Sequence, residues 1–197
     1  MPPTLSDANP SPPLPDAGSL TLQIYPARVL REKAKPITDL PPSPRLKAII
    51  ERMFQMMVEE EGIGLAAPQV GLGLRLFVVN VPPNEERSAD SDPPTATRGP
   101  VAYINPRFTN PTGAAAASEE GCLSLPDIRG DVLRPPTITI TALDIDGKEF
   151  TQTATGLLAR CWQHEMDHLD GVLIIDKFTQ LSRLKNRRAV KDLEAGR

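Results

Sequence analysis

The apolar positions of this chain fall into periods that predict most of its elements. Leu46, Ile49, Ile50, Met53, Phe54 and Met57 recur at helical spacing, so a helix with one buried face is expected there. Ser43-Pro44 supplies its start, with Ser as N-cap and Pro at the first turn, where no amide is needed. Glu59-Glu60-Glu61 and then Gly62 end it. Its methionines suit core filling better than a binding stripe. Leu74–Asn80 is a continuous apolar run and predicts a buried strand, and Val101–Asn105 predicts another. Thr137–Asp144 alternates strictly, the pattern of a half-buried strand. Asp146-Gly147 then signals a tight hairpin, and Lys148–Thr155 is its return strand. A helix capped by Thr155 runs to about Leu169, with Gly171 just beyond its end, and a last helix spans 179–195. Strands flanked by separate helices, with a hairpin, predict an α+β fold rather than alternating βαβ units.

Other stretches carry no period. Residues 1–20 contain six prolines among Ser, Asp and Asn, which predicts a disordered tail. Residues 82–100 are acidic and proline-rich and predict a flexible loop. Residues 21–197 are then one domain, preceded by an extended segment over 20–30. The N-terminus has no basic start followed by an apolar run, and acids precede its first Arg, so neither a secretory nor an organellar leader is expected. No apolar stretch is long enough to span a membrane. These features point to a cytoplasmic protein, expected to be a bacterial monomer.

Composition changes little in this picture. The chain has 197 residues, 40% apolar and only 4% aromatic, so aliphatic side chains must fill the core. The two cysteines do not form a disulfide framework. A net charge of −3 argues against a dedicated nucleic-acid binder. The charge is unevenly placed, however. From Lys177 to Arg197 there are seven basic and two acidic residues. Leu181, Leu184 and Leu193 offer a thin seam by which this helix could dock, leaving a basic face in water. That face is either a solvated helix end or a surface for RNA phosphates.

The chemistry concentrates in three runs. His164-Glu165-Met166-Asp167-His168 is an H-E-x-x-H on a predicted helix, and it contains the only two histidines. Residues four apart lie about 40° apart around a helix and ~6 Å along it, so both imidazoles can reach one ion. Glu165 is offset by ~100°, near enough to move a proton without being a ligand. A catalytic ion needs a third ligand and an open position. Cys161 lies ~10.5 Å from His168 along the helix axis, too far to share the ion, and reads as an apolar wall residue. Cys122, within Glu119-Glu120-Gly121-Cys122-Leu123-Ser124, can approach from another element. It is favoured over a carboxylate ligand, and an inert buried thiol is the alternative. Gly62-Ile63-Gly64-Leu65-Ala66-Ala67-Pro68-Gln69 superficially fits a dinucleotide motif, but it follows a helix and is interrupted by proline. Its small residues admit another chain closely, and Gln69 offers an amide that could polarise a carbonyl.

Together and in this order, the three runs resemble the peptide deformylase family, whose signatures are G-x-G-x-A-A-x-Q, E-G-C-x-S and H-E-x-x-H. The likeness runs from about Leu22 to Phe178, leaving out 82–100. It implies hydrolysis of the N-formyl group from the formylmethionine of nascent peptides, releasing formate, on an α+β fold with antiparallel or mixed sheets packed around the central helix that carries H-E-x-x-H. It implies Cys122, His164 and His168 as ligands of ferrous iron, with zinc, nickel or cobalt able to replace it. Glu165 would be the general base and acid, and Gln69 and the Leu123 amide would serve the oxyanion. Gly62, Ile63, Gly64, Leu157 and Cys161 would line the methionine pocket and the backbone groove, with Arg129 near the groove. Glu120 and Arg134 would form a supporting pair. By the same likeness, the basic terminal helix would meet RNA on the ribosome. Two other readings of the residues are a zinc peptidase with an acidic third ligand and a non-catalytic metal- or peptide-binding module. The first leaves two runs unassigned, and the second has no need of Glu165.

Overall fold

The computed structural model describes residues 14–196. Ser43 caps helix α1 (Pro44–Glu59) as expected, its hydroxyl accepting from Leu46 N at 3.2 Å. Strands β1 (Gly64–Ala66), β2 (Leu76–Val79) and β3 (Val101–Thr112) follow. Next come β4 (Ala116–Cys122), β5 (Leu125–Arg134), β6 (Thr137–Leu143) and β7 (Glu149–Thr155). Helices α2 (Gly156–Leu169), α3 (Ile174–Lys177) and α4 (Gln180–Glu194) complete the order.

Five strands form one sheet in the order β1-β2-β3-β6-β7, and β4 pairs β5 in a separate ribbon. Every pairing between these strands is antiparallel, so of the two expected sheet types the mixed one drops out. The Asp146-Gly147 turn closes the predicted hairpin, with Leu143 opposite Glu149 and Gly147 at φ 80°. β3 runs beyond its expected end through Pro106 and Pro111, where the register with β6 shifts. Thr155 stands at the start of α2, but its hydroxyl donates to Pro136 O (3.0 Å) rather than capping the helix.

The large sheet lies between two helices. Leu76 and Val78 of β2 pack with Leu46, Ile49, Ile50 and Met53 of α1. Phe77 and Val79, on the other face, pack with Leu158, Ala159 and Trp162 of α2. That double burial explains the unbroken apolar run of β2. A third, smaller core holds Leu125, Ile128 and Val132 of β5 with Leu30, Leu173, Ile174 and Phe178.

Four expectations need correction. Of the tail predicted over 1–20, residues 1–13 lie outside the described residues. From residue 14 on, the segment packs: Leu14 and Ala17 rest on the α1 core, Leu20 is buried, and Arg45 Nε donates to Pro15 O at 3.1 Å. The extended segment over 20–30 also turns into a 3-10 helix at Arg28–Arg31. The loop 82–100 has no helix or strand, yet it is anchored. Val81 N donates to Thr97 Oγ1 at 3.0 Å, Ser88 N to Thr95 Oγ1 at 2.8 Å, and Ala96 is buried in the α2 core. Finally, Leu181 and Leu184 are not a docking seam, being 75% and 69% exposed. α4 docks instead through Ser182 and Asn186, with Val190 and Leu193 against the third core. Ser182 Oγ accepts from Asp131 N (2.9 Å), and Asn186 Nδ2 donates to Arg129 O (2.8 Å).

Candidate active site

α2 presents Arg160, Cys161, His164, Glu165 and His168 within a little over two turns. The imidazoles of His164 and His168 stand 5.1 Å apart, centroid to centroid. Cys122 ends β4 at a register shift after Gly121, which turns its sulfur to 3.2 Å from His168 Nε2. One ligand atom each from Cys122, His164 and His168 lies within 4.8 Å of the others. Bonds of about 2.0–2.3 Å place ligands of a tetrahedral ion at comparable separations, so this donor set fits a divalent metal with one position left over. Thiolate and imidazole donors suit iron, zinc, nickel and cobalt alike. Cys161 is elsewhere: it is buried, its thiol 3.6 Å from Ile63 O, and burial pushes its pKa well up. The cysteine at the donor set is Cys122.

Glu120 supports this set from β4. Its carboxylate takes two bonds from Arg134 (Nε 2.6 Å, Nη2 2.8 Å), one from Arg160 (Nη1 2.8 Å), and faces His164 Nδ1 at 3.1 Å. Burial opposes its charge, but Arg134 and His164 hold its pKa well below the usual carboxylate range. Arg134 also reaches Asp167 (2.8 Å), which pairs with Lys177. Burial works against a charge on His164, yet Cys122 and Glu120 hold its pKa high, whereas burial lowers that of His168.

Glu165 is buried, and its Oε2 has no hydrogen-bond partner among the described residues. Burial, only partly offset by His164 and Arg134, pushes its pKa up to about 7. Such a partnerless carboxylate is costly to keep and common at functional sites. The backbone of β1 lies against it: a Cβ on Gly64 would clash with the Glu165 carboxylate and come within 2.8 Å of Cys161 Sγ. Only glycine admits that approach.

Gln69 is buried in a 3-10 turn (Ala67–Val70) after β1. Its Oε1 accepts from Ala66 N (2.9 Å), so its Nε2 points the other way, to Ser124 Oγ (3.2 Å) and Cys122 Sγ (3.7 Å). Leu123 occupies the turn between β4 and β5. A cavity of about 590 Å3 joins these parts. Its walls include Gly62, Ile63, Leu157 and Ile128, and its mouth has Glu61 and Arg129, the latter paired with Glu119 at 3.0 Å. All the residues named from sequence thus meet at one cavity, except that His168 and Arg134 lie just behind its wall. Sequence reasoning missed Ser124, Arg160 and Asp167. Arg160 had a signal, because it stands one helical turn before His164; the other two sit inside the quoted motifs but have no distinctive spacing.

The polypeptide deformylase family model matches residues 20–184. A peptide deformylase from Thermodesulfovibrio yellowstonii is 41% identical over 172 residues, 87% of this chain and 96% of that protein. Peptide deformylase 2 of Gloeobacter violaceus is 43% identical over 150 residues, 76% of this chain and 74% of its own. A crystal structure of the Plasmodium falciparum peptide deformylase superposes with a TM-score of 0.78 at 34% identity, covering 89% of this chain and 96% of the other. Among the described residues no helix is long and apolar enough to cross a membrane. With a match of this extent, the chain belongs to the polypeptide deformylase family, hydrolases that remove the formyl group.

Proposed function

We propose that Cys122, His164 and His168 hold ferrous iron and that Glu165 moves the protons in removing formyl from the formylmethionine of nascent chains in the cytoplasm. The observation that carries this reading is the buried, partnerless Glu165 carboxylate beside a Cys-His-His donor set. The metal would supply Lewis acidity toward the formyl oxygen and ease ionisation of water. Glu165 takes a proton from the attacking water and later delivers it to the departing amine nitrogen. Gln69 Nε2 and the Leu123 amide donate to the formyl oxygen as charge builds there. Both are fixed beforehand, Gln69 by its bond to Ala66 N and Leu123 by the β4–β5 turn. Ile63, Leu157 and Cys161 offer an apolar slot for the methionine side chain, and the backbone of Gly62–Gly64 runs beside it. Arg129 stands where the peptide leaves.

The test uses the full chain purified without oxygen. Formyl-Met-Ala-Ser should release formate, metal analysis should find iron, and internal peptide bonds should stay intact. Peptide-bond cleavage without formate would favour the zinc peptidase instead.

We further propose that α4 meets the ribosome. Its exposed side carries Lys185, Arg187 and Lys191 beside Leu181 and Leu184. Phosphate contacts weaken steeply with salt, so Lys185, Arg187 and Lys191 changed to Glu should abolish a salt-sensitive affinity for ribosomes. Charge reversal is a cleaner test than truncation, because removing α4 would also strip Ser182 and Asn186 from β5.

A further inference from the structure

The donor set spans two separately packed parts of the molecule. The histidines ride on α2, whose apolar face belongs to the core of the large sheet. Cys122 is on the β4–β5 ribbon, which packs into the third core with α3 and Leu30, and among the described residues of that core none comes from α2. The position of Cys122 relative to the histidines is therefore set by polar fasteners between ribbon and helix rather than by shared apolar packing.

Arg160 holds more of the ribbon than any other α2 side chain. Its Nη1 donates to Glu120 Oε1 (2.8 Å) and to Val132 O (2.9 Å), and its Nη2 donates to Ala116 O (2.9 Å). One guanidinium from α2 thus reaches the start of β4, the far half of β5 and the carboxylate that orients His164. A planar fork with several fixed donors can do this, whereas a point charge cannot. The helical spacing completes the arrangement. Arg160 and His164 are one turn apart on the same face, and they meet opposite oxygens of Glu120, Oε1 and Oε2. Glu120 is held at both ends by one face of α2, and Cys122 follows it by two residues on the same strand. The stem of Arg160 is also a wall of the cavity.

We infer that Arg160 is a positioning residue of the deformylase centre, fastening the Cys122 strand and Glu120 to α2 so that the three donor atoms converge. This rests on the metal reading proposed above. Arg134 does not duplicate the role: from β5 it ties the ribbon to α2 only at Asp167 and gives its other donors to Glu120, whereas Arg160 reaches Ala116, Glu120 and Val132 together. Losing Arg160 leaves Glu120 paired with Arg134 and His164 but releases the start of β4 and Val132 from α2, so the Cys122 strand is held less tightly.

Arg160→Met keeps the volume of the stem and removes the head. Arg160→Lys restores the charge on a single donor atom without the fork. The full-length proteins are loaded with Co(II), whose absorption reports both thiolate ligation and coordination geometry. In Arg160→Met we expect altered cobalt bands and release of cobalt to a chelator faster by about 10–100-fold, the range found when outer partners of metal ligands are removed. The value of kcat for formyl-Met-Ala-Ser should fall about 10-fold or more, with KM within twofold. Arg160→Lys should recover part of each loss while melting at the same temperature as Arg160→Met. Unchanged cobalt bands and release in Arg160→Met would overturn the inference. So would a rise in KM alone, which would make Arg160 a substrate contact, or losses that follow only the melting temperature. A wild-type protein that takes up no cobalt would overturn the metal reading itself, and the inference with it.

Discussion

Replacing Glu165 by Gln should stabilise the metal-free protein at alkaline pH while destroying its activity. The carboxylate is 3% exposed, and its Oε2 has no partner. Burial raises its pKa from 4.5 to about 7. In the unfolded chain the group ionises freely near 4.5. Below that pH it is neutral in both states, and the folded protein loses nothing. Between 4.5 and about 7 the unfolded state gives up its proton first, so folding stability falls as pH rises. Above pH 8 the gap between 4.5 and about 7 amounts to roughly 3 kcal/mol. For a chain of this size that is on the order of 10 °C in melting temperature. Gln has the same shape and cannot ionise, so it escapes the cost. Thermal melts of chelator-treated wild type and Glu165→Gln, taken from about pH 4 to pH 9, measure the difference. The curves should meet at the acid end, separate between pH 4.5 and about 7, and keep a constant separation above pH 8, with Gln the more stable. Loading with a divalent ion should shrink the separation, because a nearby cation favours the carboxylate. Formate release by the loaded variant should drop ~10²–10⁴-fold. A stability difference independent of pH, or a Gln variant weaker at every pH, would refute the reasoning.

Cys122→Ala should lose bound metal on gel filtration while Cys161→Ala keeps it, and equal loss in both would contradict the ligand assignment. Gln69→Leu should lower kcat by up to ~10²–10³ if its amide serves the developing oxyanion, whereas a change confined to KM would limit it to ground-state binding. Gly64→Ala should displace the Glu165 carboxylate, and a shift near 1 Å can cost ~10²-fold, so kcat is the quantity to measure. A Gly64→Ala enzyme within twofold of wild type would show that β1 yields more easily than its packing implies.

The parts legible in the sequence were those whose signals are local. Ser43-Pro44, the apolar face of α1, the alternation of β6 and Asp146-Gly147 each act within a few residues, and each formed as expected. The β4–β5 ribbon was not foreseen, since Ala114–Ala117, Gly121 and Pro126 read against a strand. It forms because a separate core and α4 hold it from outside. The same contact explains the misjudged face of α4. Leu181 and Leu184 suggested apolar docking, but the surface it meets is a strand edge with free backbone groups, so Ser182 and Asn186 face inward instead. In the site, the seven-residue spacing of Cys161 and His168 excluded Cys161, and Cys122 stands with both histidines as a group that could hold a metal ion. Arg160 escaped notice because its partners Ala116, Glu120 and Val132 are distant in sequence and mostly backbone.

The contact between α4 and β5 also bears on how the chain folds as it is made. The outer edge of β5 is completed by groups that come much later in the chain: Phe178 bridges Val132, Thr179 N donates to Asp131 O, and Ser182 and Asn186 follow. Until those residues have been synthesised, β5 presents an open row of amides and carbonyls, the template on which foreign strands add. During synthesis, then, the ribbon that carries Cys122 passes through an interval in which it can pair with another nascent copy. Slow translation between Arg134 and Gln180 would lengthen that interval, and a chain interrupted between His168 and Gln180 would be prone to aggregate even with every residue of the donor set already in place.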